Sequence, residues 1–359
     1  MTIDSVATAT TVLPLPVPLR LGAMTVERRE YTAVQVRDAE DRIGRAYCLS
    51  REAPMAEIVE RLVAPHVIGA DADDPASAWD RMLRGSAIVG RVGLVRRAIG
   101  LVDIALWDIA AQRADQPLWQ LLGTDDQPRP SMLVAAYPTP ERSPAEVADE
   151  VLAQAEGWTT VKISRLPDPT YMRELISLVT EGLPARTGLV VDVGFGWRDA
   201  DEALAEIARW GDPELAWLED PLLPEDVAGC ARIRRETGLR LAVGDEVTDP
   251  AVLRALVDQG AVDALRLDVV AIGGITPARE VIDWALARGV PVSGHVYPEV
   301  TVHLGIGVET FAREGNPYDP SPSLVTGGPL FDGAVRPAAT PGLGFAFAQS
   351  GFDFGEARA

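Results

Sequence analysis

Leu189-Val190-Val191-Asp192 and Leu215-Ala216-Trp217-Leu218-Glu219-Asp220-Pro221 are two short apolar runs that each close on a carboxylate. A run of about five buried-type residues ended by a turn is the pattern of a parallel strand inside an α/β protein, so the acid stands at the strand's carboxyl end. Arg240-Leu241-Ala242-Val243-Gly244-Asp245 repeats the pattern. The acids at 192, 219 and 245 are 27 and 26 residues apart, room for one strand, one helix and two loops. In a closed (β/α)₈ barrel the strand C-termini converge on one face, and that face carries the chemistry. Three carboxylates aimed at one point repel one another unless a cation sits between them. Hard oxygen donors that leave room for water and substrate suit Mg²⁺.

Outward from these runs the same alternation continues. Strands are expected near residues 132–137, 159–164, 188–192, 215–219, 240–245, 263–268, 290–295 and 304–309, with helices at 144–156, 169–182, 200–210, 225–237, 250–259 and 276–288. Eight strands with mostly helical crossovers argue for a barrel over an open sheet. Ahead of them, residues 24–37 and 43–48 alternate as an antiparallel hairpin or meander, and helices are expected at 53–63 and 75–84, the second begun near Asp74-Pro75. From Val92 to about Arg113 runs a helix apolar on nearly every side, which places it between layers. A short helix from Pro117 stops at Gly123.

The expected organisation is a capping domain over residues 1–125, a barrel over 126–330, and a segment 331–359 that returns to the cap. A chain of 359 residues holds a barrel of roughly 250 residues and something more.

Composition excludes several functions. A formal charge of −20 repels nucleic acid and anionic lipid alike. With 47% apolar residues and no uninterrupted apolar stretch near membrane length, no membrane span is expected. Residues 1–20 carry Pro14, Pro16 and Pro18 and lack the basic start and cleavage site of a secretory signal, so a cytoplasmic protein is expected. Cys48 and Cys230 are too few and too far apart for a disulfide framework.

The polar residues closing the expected strands form a constellation: Lys162 and Ser164, Asp192, Glu219, Asp245, Asp268, His295 and Glu309, with Tyr137 ending the first strand. Of three histidines, His66 is placed in a loop and His303 on a short helix, and His295 alone ends an apolar strand.

These residues, with Ala98-Ile-Gly-Leu-Val-Asp-Ile-Ala-Leu-Trp-Asp108, Val161-Lys-Ile-Ser164, Leu218-Glu-Asp-Pro221, Asp268-Val-Val-Ala-Ile-Gly-Gly-Ile-Thr276 and Pro341-Gly-Leu-Gly344, make a chain that resembles the enolase superfamily, and within it the mandelate racemase-like group. The resemblance covers almost the whole chain. It implies a modified (β/α)₈ barrel under an α+β cap built from both termini, with Mg²⁺ held by Asp192, Glu219 and Asp245. It implies abstraction of the proton α to a carboxylate through an enediolate. Asp268 and His295 would form a dyad with His295 as base or acid, Glu309 would hydrogen-bond the substrate carboxylate or enediolate, and Lys162 would offset its charge. Asp268 stands where the muconate lactonizing group carries a catalytic Lys, which favours the His/Asp machinery.

Two positions depart from that pattern. The second strand of the family ends Lys-x-Lys, whereas Lys162-Ile-Ser164 puts a hydroxyl at the second position, where it is expected to contact substrate. A serine has no basic form near neutral pH unless another base activates it. The third metal position is Asp245 where the mandelate group commonly has Glu. Glu246 beside it is expected to point off the other side of the strand. A Mg²⁺-dependent lyase dehydrating a hydroxy acid such as an acid sugar is the leading expectation, with a racemase or epimerase as the alternative and a barrel that only binds metal and carboxylate as a third. The substrate is expected to be a small carboxylate, its specificity set around residues 15–25 and 49–56, and the enzyme to be a homo-oligomer.

Overall fold

The eight barrel strands run β4 Ser131–Ala136, β5 Thr160–Ser164, β6 Gly188–Asp192, β7 Trp217–Glu219, β8 Leu241–Val243, β9 Ala264–Leu267, β10 Val292–Gly294 and β11 Val308–Thr310 in a computed structural model that describes residues 1–21, 24–311, 317–331 and 334–355. They are parallel neighbours in the order β10-β9-β8-β7-β6-β5-β4-β11. A parallel bridge between Ser293 and Gly307 joins the two ends of the series and brings the sheet round on itself. The strands are buried on both faces, as a parallel sheet between helices requires, and so read as continuous apolar runs.

The crossovers begin where the sequence supplies caps. Asp168, Asp199, Asp226 and Asp249 each accept a backbone N–H from the first turn of a barrel helix, and Ser143 with Glu146 forms a capping box. Barrel helices span Pro144–Leu152, Pro169–Gly182, Ala200–Trp210, Val227–Thr237, Pro250–Asp258 and Ile275–Leu286. The last strand begins later than expected, because Val302–Leu304 form a 3₁₀ turn that Gly305 closes in the left-handed region.

The cap is an antiparallel sheet of β1 Ile3–Leu21, β2 Met24–Asp38 and β3 Ile43–Leu49, in that order. β1 is the element that the sequence pattern hid, since Pro14, Pro16 and Pro18 argue against a strand. As the edge strand it needs only one side hydrogen-bonded, which is where proline is tolerated. Its pairing with β2 breaks between Pro14 and Leu19 and resumes there. Residues 22 and 23, inside the segment expected to set specificity, lie outside the described residues.

The helix expected at 53–63 is three joined pieces, Met55–Ile58, a π turn at Val59–Val63, and Ala64–Val67. The widened turn falls just ahead of Pro65, which lacks the N–H an unbroken helix would use. His66 therefore lies in a helix and not in a loop.

Helix Leu94–Arg113 joins cap to barrel. Its Asp103 accepts hydrogen bonds from Thr276 N at 2.9 Å and Thr276 Oγ1 at 2.6 Å, just beyond the loop that follows β9. Asp108 accepts from Arg45 N at 3.0 Å and Leu343 N at 2.8 Å, tying β3 and the C-terminal segment to the same helix. At Gly100 a Cβ would stand 2.3 Å from Val270 O, so only glycine allows this approach. The C-terminal segment also lays Phe345 edge-on against Tyr47, with ring centroids 6.3 Å apart. No helix among the described residues is long and apolar enough to cross a membrane.

Candidate active site

Alternation along each strand aims its last acid or base into the barrel mouth. Ser164 pairs in register with Asp192, and Asp192 with Glu219, so three neighbouring strands present their ends side by side. Lys162, two residues before Ser164 on the same face, is buried among carboxylates. Its Nζ donates to Glu219 Oε1 at 2.6 Å and Glu309 Oε2 at 2.7 Å and stands 3.4 Å from Asp192 Oδ2. Burial opposes the ammonium charge, but Glu219, Glu309 and Asp192 outweigh it and hold the Lys162 pKa well above its ordinary value.

The expected metal residues meet in an altered grouping. Glu219, Asp245 and Glu309 offer oxygens within 4.8 Å of one another, a set that could hold an ion. Asp192 meets them through Lys162, and its Oδ1 accepts from Gly194 N at 2.9 Å. Burial pushes the Asp245 carboxyl up to about 7, with the negative charge of Glu219 adding to the effect, and it raises Asp192 as well. Three carboxylate oxygens that close together offer the hard donors a divalent ion takes, so this donor set fits such an ion.

His295 follows β10 at a turn whose next two residues, Val296 and Tyr297, have φ of 46° and 48°. A β-branched residue there is strained, and such strain gathers at functional sites. Tyr297 Oη accepts from Leu49 N at 3.1 Å, so the cap holds this turn. His295 Nδ1 stands 3.5 Å from Asp268 Oδ2, while Nε2 stands 3.5 Å from Asp245 Oδ2 and 3.9 Å from Glu309 Oε1. Burial alone would lower the His295 pKa, but the carboxylates of Asp245, Asp268, Glu309 and Glu246 together raise it to about 9.

Several contributors escaped the sequence reading. Arg266 lies fully buried at the centre of the acid cluster. Its spacing was the signal, since it stands two residues before Asp268 and alternation puts both on the inward face. Arg97, on the cap helix, places Nη1 3.6 Å from Asp268 Oδ2 and pairs with Glu246, which Arg51 also reaches. Glu246 thus faces the cap, from a left-handed turn beyond the end of β8. Buried Asp220 accepts from Gly244 N at 2.9 Å and Asp245 N at 3.3 Å, fixing the turn that aims Asp245. Arg165 Nε donates to Glu206 at 2.7 Å and its guanidinium lies over Trp197. Tyr137 is buried against Tyr318, ring centroids 5.1 Å apart, in a small cluster with Leu15, Leu19 and Phe311 under the cap.

Residues 145–350 match the enolase C-terminal domain-like family, and residues 4–123 match the mandelate racemase/muconate lactonizing enzyme N-terminal domain. The chain belongs to the mandelate racemase/muconate lactonizing enzyme family of the enolase superfamily. Among its relatives, the 3,6-anhydro-alpha-L-galactonate cycloisomerase of Streptomyces coelicolor is 30% identical over 92% of this chain and 93% of its own length. The L-talarate/galactarate dehydratase of Salmonella typhimurium is 27% identical over 81% of this chain and 75% of its own. A racemase from Streptomyces coelicolor, crystallised with bound magnesium, superposes with a TM-score of 0.86 at 27% identity and covers 96% of this chain and 97% of that one. Relatives at comparable similarity thus include an isomerase and a lyase.

Proposed function

We propose that this chain is a Mg²⁺-dependent enzyme of acid-sugar metabolism that removes the proton α to a carboxylate and, from the resulting enediolate, expels the β-hydroxyl as water once it takes a proton, leaving an enol that tautomerises to a 2-keto acid. It falls in the lyase or isomerase class, as its relatives do. The observation that carries the reading is the pairing of His295 with Asp268 beside the acid cluster. Asp268 holds the proton on Nδ1 and leaves Nε2 free to take or give a proton at the substrate.

Asp192, Glu219 and Asp245 would hold the ion, which stabilises negative charge developing on the substrate carboxylate. Lys162, charged and dry, offsets that same charge, and Glu309, held in ion pairs by Lys162 and Arg266, is assigned to the carboxylate end of the substrate. Ser164 and Tyr137 are assigned to substrate contact. With Ser164 opposite, His295 is the residue assigned to proton transfer and no second base is assigned to the other face, which favours elimination over two-base racemisation. Epimerisation is the second reading, supported by the isomerase among the relatives.

A screen of mono- and diacid sugars, run with Mg²⁺ and after chelation, tests the proposal by trapping the 2-keto product with a carbonyl reagent. A chelator-sensitive product is expected. Deuterium uptake from solvent without carbonyl product would replace dehydration by epimerisation.

A further inference from the structure

Arg266 has no exposed surface, and every nitrogen of its guanidinium has a partner. Nε stands 3.1 Å from Asp245 Oδ1 and 3.2 Å from Glu219 Oε2, and Nη2 donates to Glu309 Oε2. Nη1 donates to Ser293 Oγ at 2.8 Å and Gly294 O at 2.9 Å, so β10 fixes the guanidinium in place. Lys162 meets Glu219 and Glu309 from another direction. Two cations, Lys162 and Arg266, therefore share one cluster of four acids, Asp192, Glu219, Asp245 and Glu309.

An uncompensated charge in a dry interior is costly, so a buried site tends towards neutrality when its ligand is in place. Arg266 and Lys162 supply part of that compensation among these acids, and Arg266 does so in contact with three of them.

We propose that Arg266 is a resident cation that holds Glu219, Asp245 and Glu309 together without metal and limits how tightly the site takes Mg²⁺. This rests on the Mg²⁺ reading above. Arg266 is a positioning residue, since it acts on the substrate only through these acids. A guanidinium that merely braced the ligands and one that also competes with the ion make opposite predictions. Loss of a brace loosens the ligands and weakens Mg²⁺ binding, whereas loss of a competing charge deepens the negative potential and strengthens it.

Calorimetric titration of chelated wild type, Arg266→Gln, Arg266→Met and Arg266→Lys with Mg²⁺ alone decides between them. The neutral variants should bind Mg²⁺ at least about tenfold more tightly than wild type, since each removes a full charge beside the ion. Arg266→Lys, which keeps the charge, should stay within about threefold of wild type. The gap in Tm between chelated and Mg²⁺-saturated protein should widen in the neutral variants. A neutral variant that folds only with Mg²⁺ would support the proposal in the same way. Equal or weaker binding by a folded neutral variant would overturn it, as would Arg266→Lys binding as tightly as Arg266→Gln, or neutral variants that stay unfolded even in saturating Mg²⁺. Wild type that takes no Mg²⁺ would remove the function reading itself, and this inference with it.

Discussion

His295 Nδ1 lies 3.5 Å from Asp268 Oδ2, and the other oxygen of Asp268 is already held by the backbone N–H groups of Val270 and Ala271, each at 2.9 Å. The carboxylate is fixed before the imidazole meets it. The 3.5 Å separation is long for a hydrogen bond, and contacts of this kind often tighten only around bound substrate.

Asp268→Asn is therefore expected to lower kcat by on the order of 10² to 10⁴. His295→Asn should abolish turnover with Mg²⁺ still bound. Steady-state kinetics with metal titration checks both, and activity retained in His295→Asn would move the base to Lys162.

The metal assignment makes a separate demand. Asp192→Asn and Glu219→Gln each remove one ligand charge and should weaken Mg²⁺ by at least about tenfold. Unchanged affinity in either variant takes that residue out of the ligand set. Chelation should abolish activity, and added Mg²⁺ should restore it.

Ser164 faces the barrel mouth two residues beyond Lys162, where it supplies no base. In ²H₂O, exchange at the α-carbon is accordingly expected in one substrate epimer only. NMR of both epimers after incubation with enzyme reads this directly. Equal exchange in the two epimers would mean that a second base works from the opposite face.

His303 gives a pH dependence unrelated to the reaction. It is fully buried between cap and C-terminal segment, with Trp119 N donating to Nδ1 at 3.2 Å and Nε2 at 3.1 Å from Leu343 O. Burial lowers its pKa from 6.5 to about 4. Below the ordinary value the unfolded chain takes up a proton that the native protein refuses. The contribution is thus full above about pH 6.5 and is lost as pH falls through about 4, by roughly 3 kcal/mol in total. Urea midpoints from pH 7 to 4 should fall more steeply for wild type than for His303→Gln. Parallel curves would show that another group governs the acid limb.

Gly100 tests the seat of the cap on the barrel. A Cβ there must displace Val270 O, in the loop between Asp268 and Gly273. Gly100→Ala is expected to cost about 1–3 kcal/mol of stability, as overpacking does. It should also lower kcat by moving Asp268, and a variant as stable and as fast as wild type would mean that the loop yields freely.

Much of this architecture is legible in the sequence, because a parallel strand buried on both faces must be apolar along its length and must end where polarity returns. Leu189-Val190-Val191-Asp192 states both facts in four residues. β1 was not legible: its prolines fit a strand only at a sheet edge, and being an edge is a property of neighbours.

The sequence by itself determined the barrel and the acids that end its strands, since local period and strand polarity fix those. Only the tertiary structure decided how the charges at the mouth are balanced. Lys162 stands between Asp192 and Glu219, Arg97 reaches Asp268 from the cap, and Arg266 ties Glu219, Asp245 and Glu309 together. Such pairings join residues up to 171 positions apart. They depend on distances of a few ångströms in a dry interior, and no local period in the chain encodes those distances.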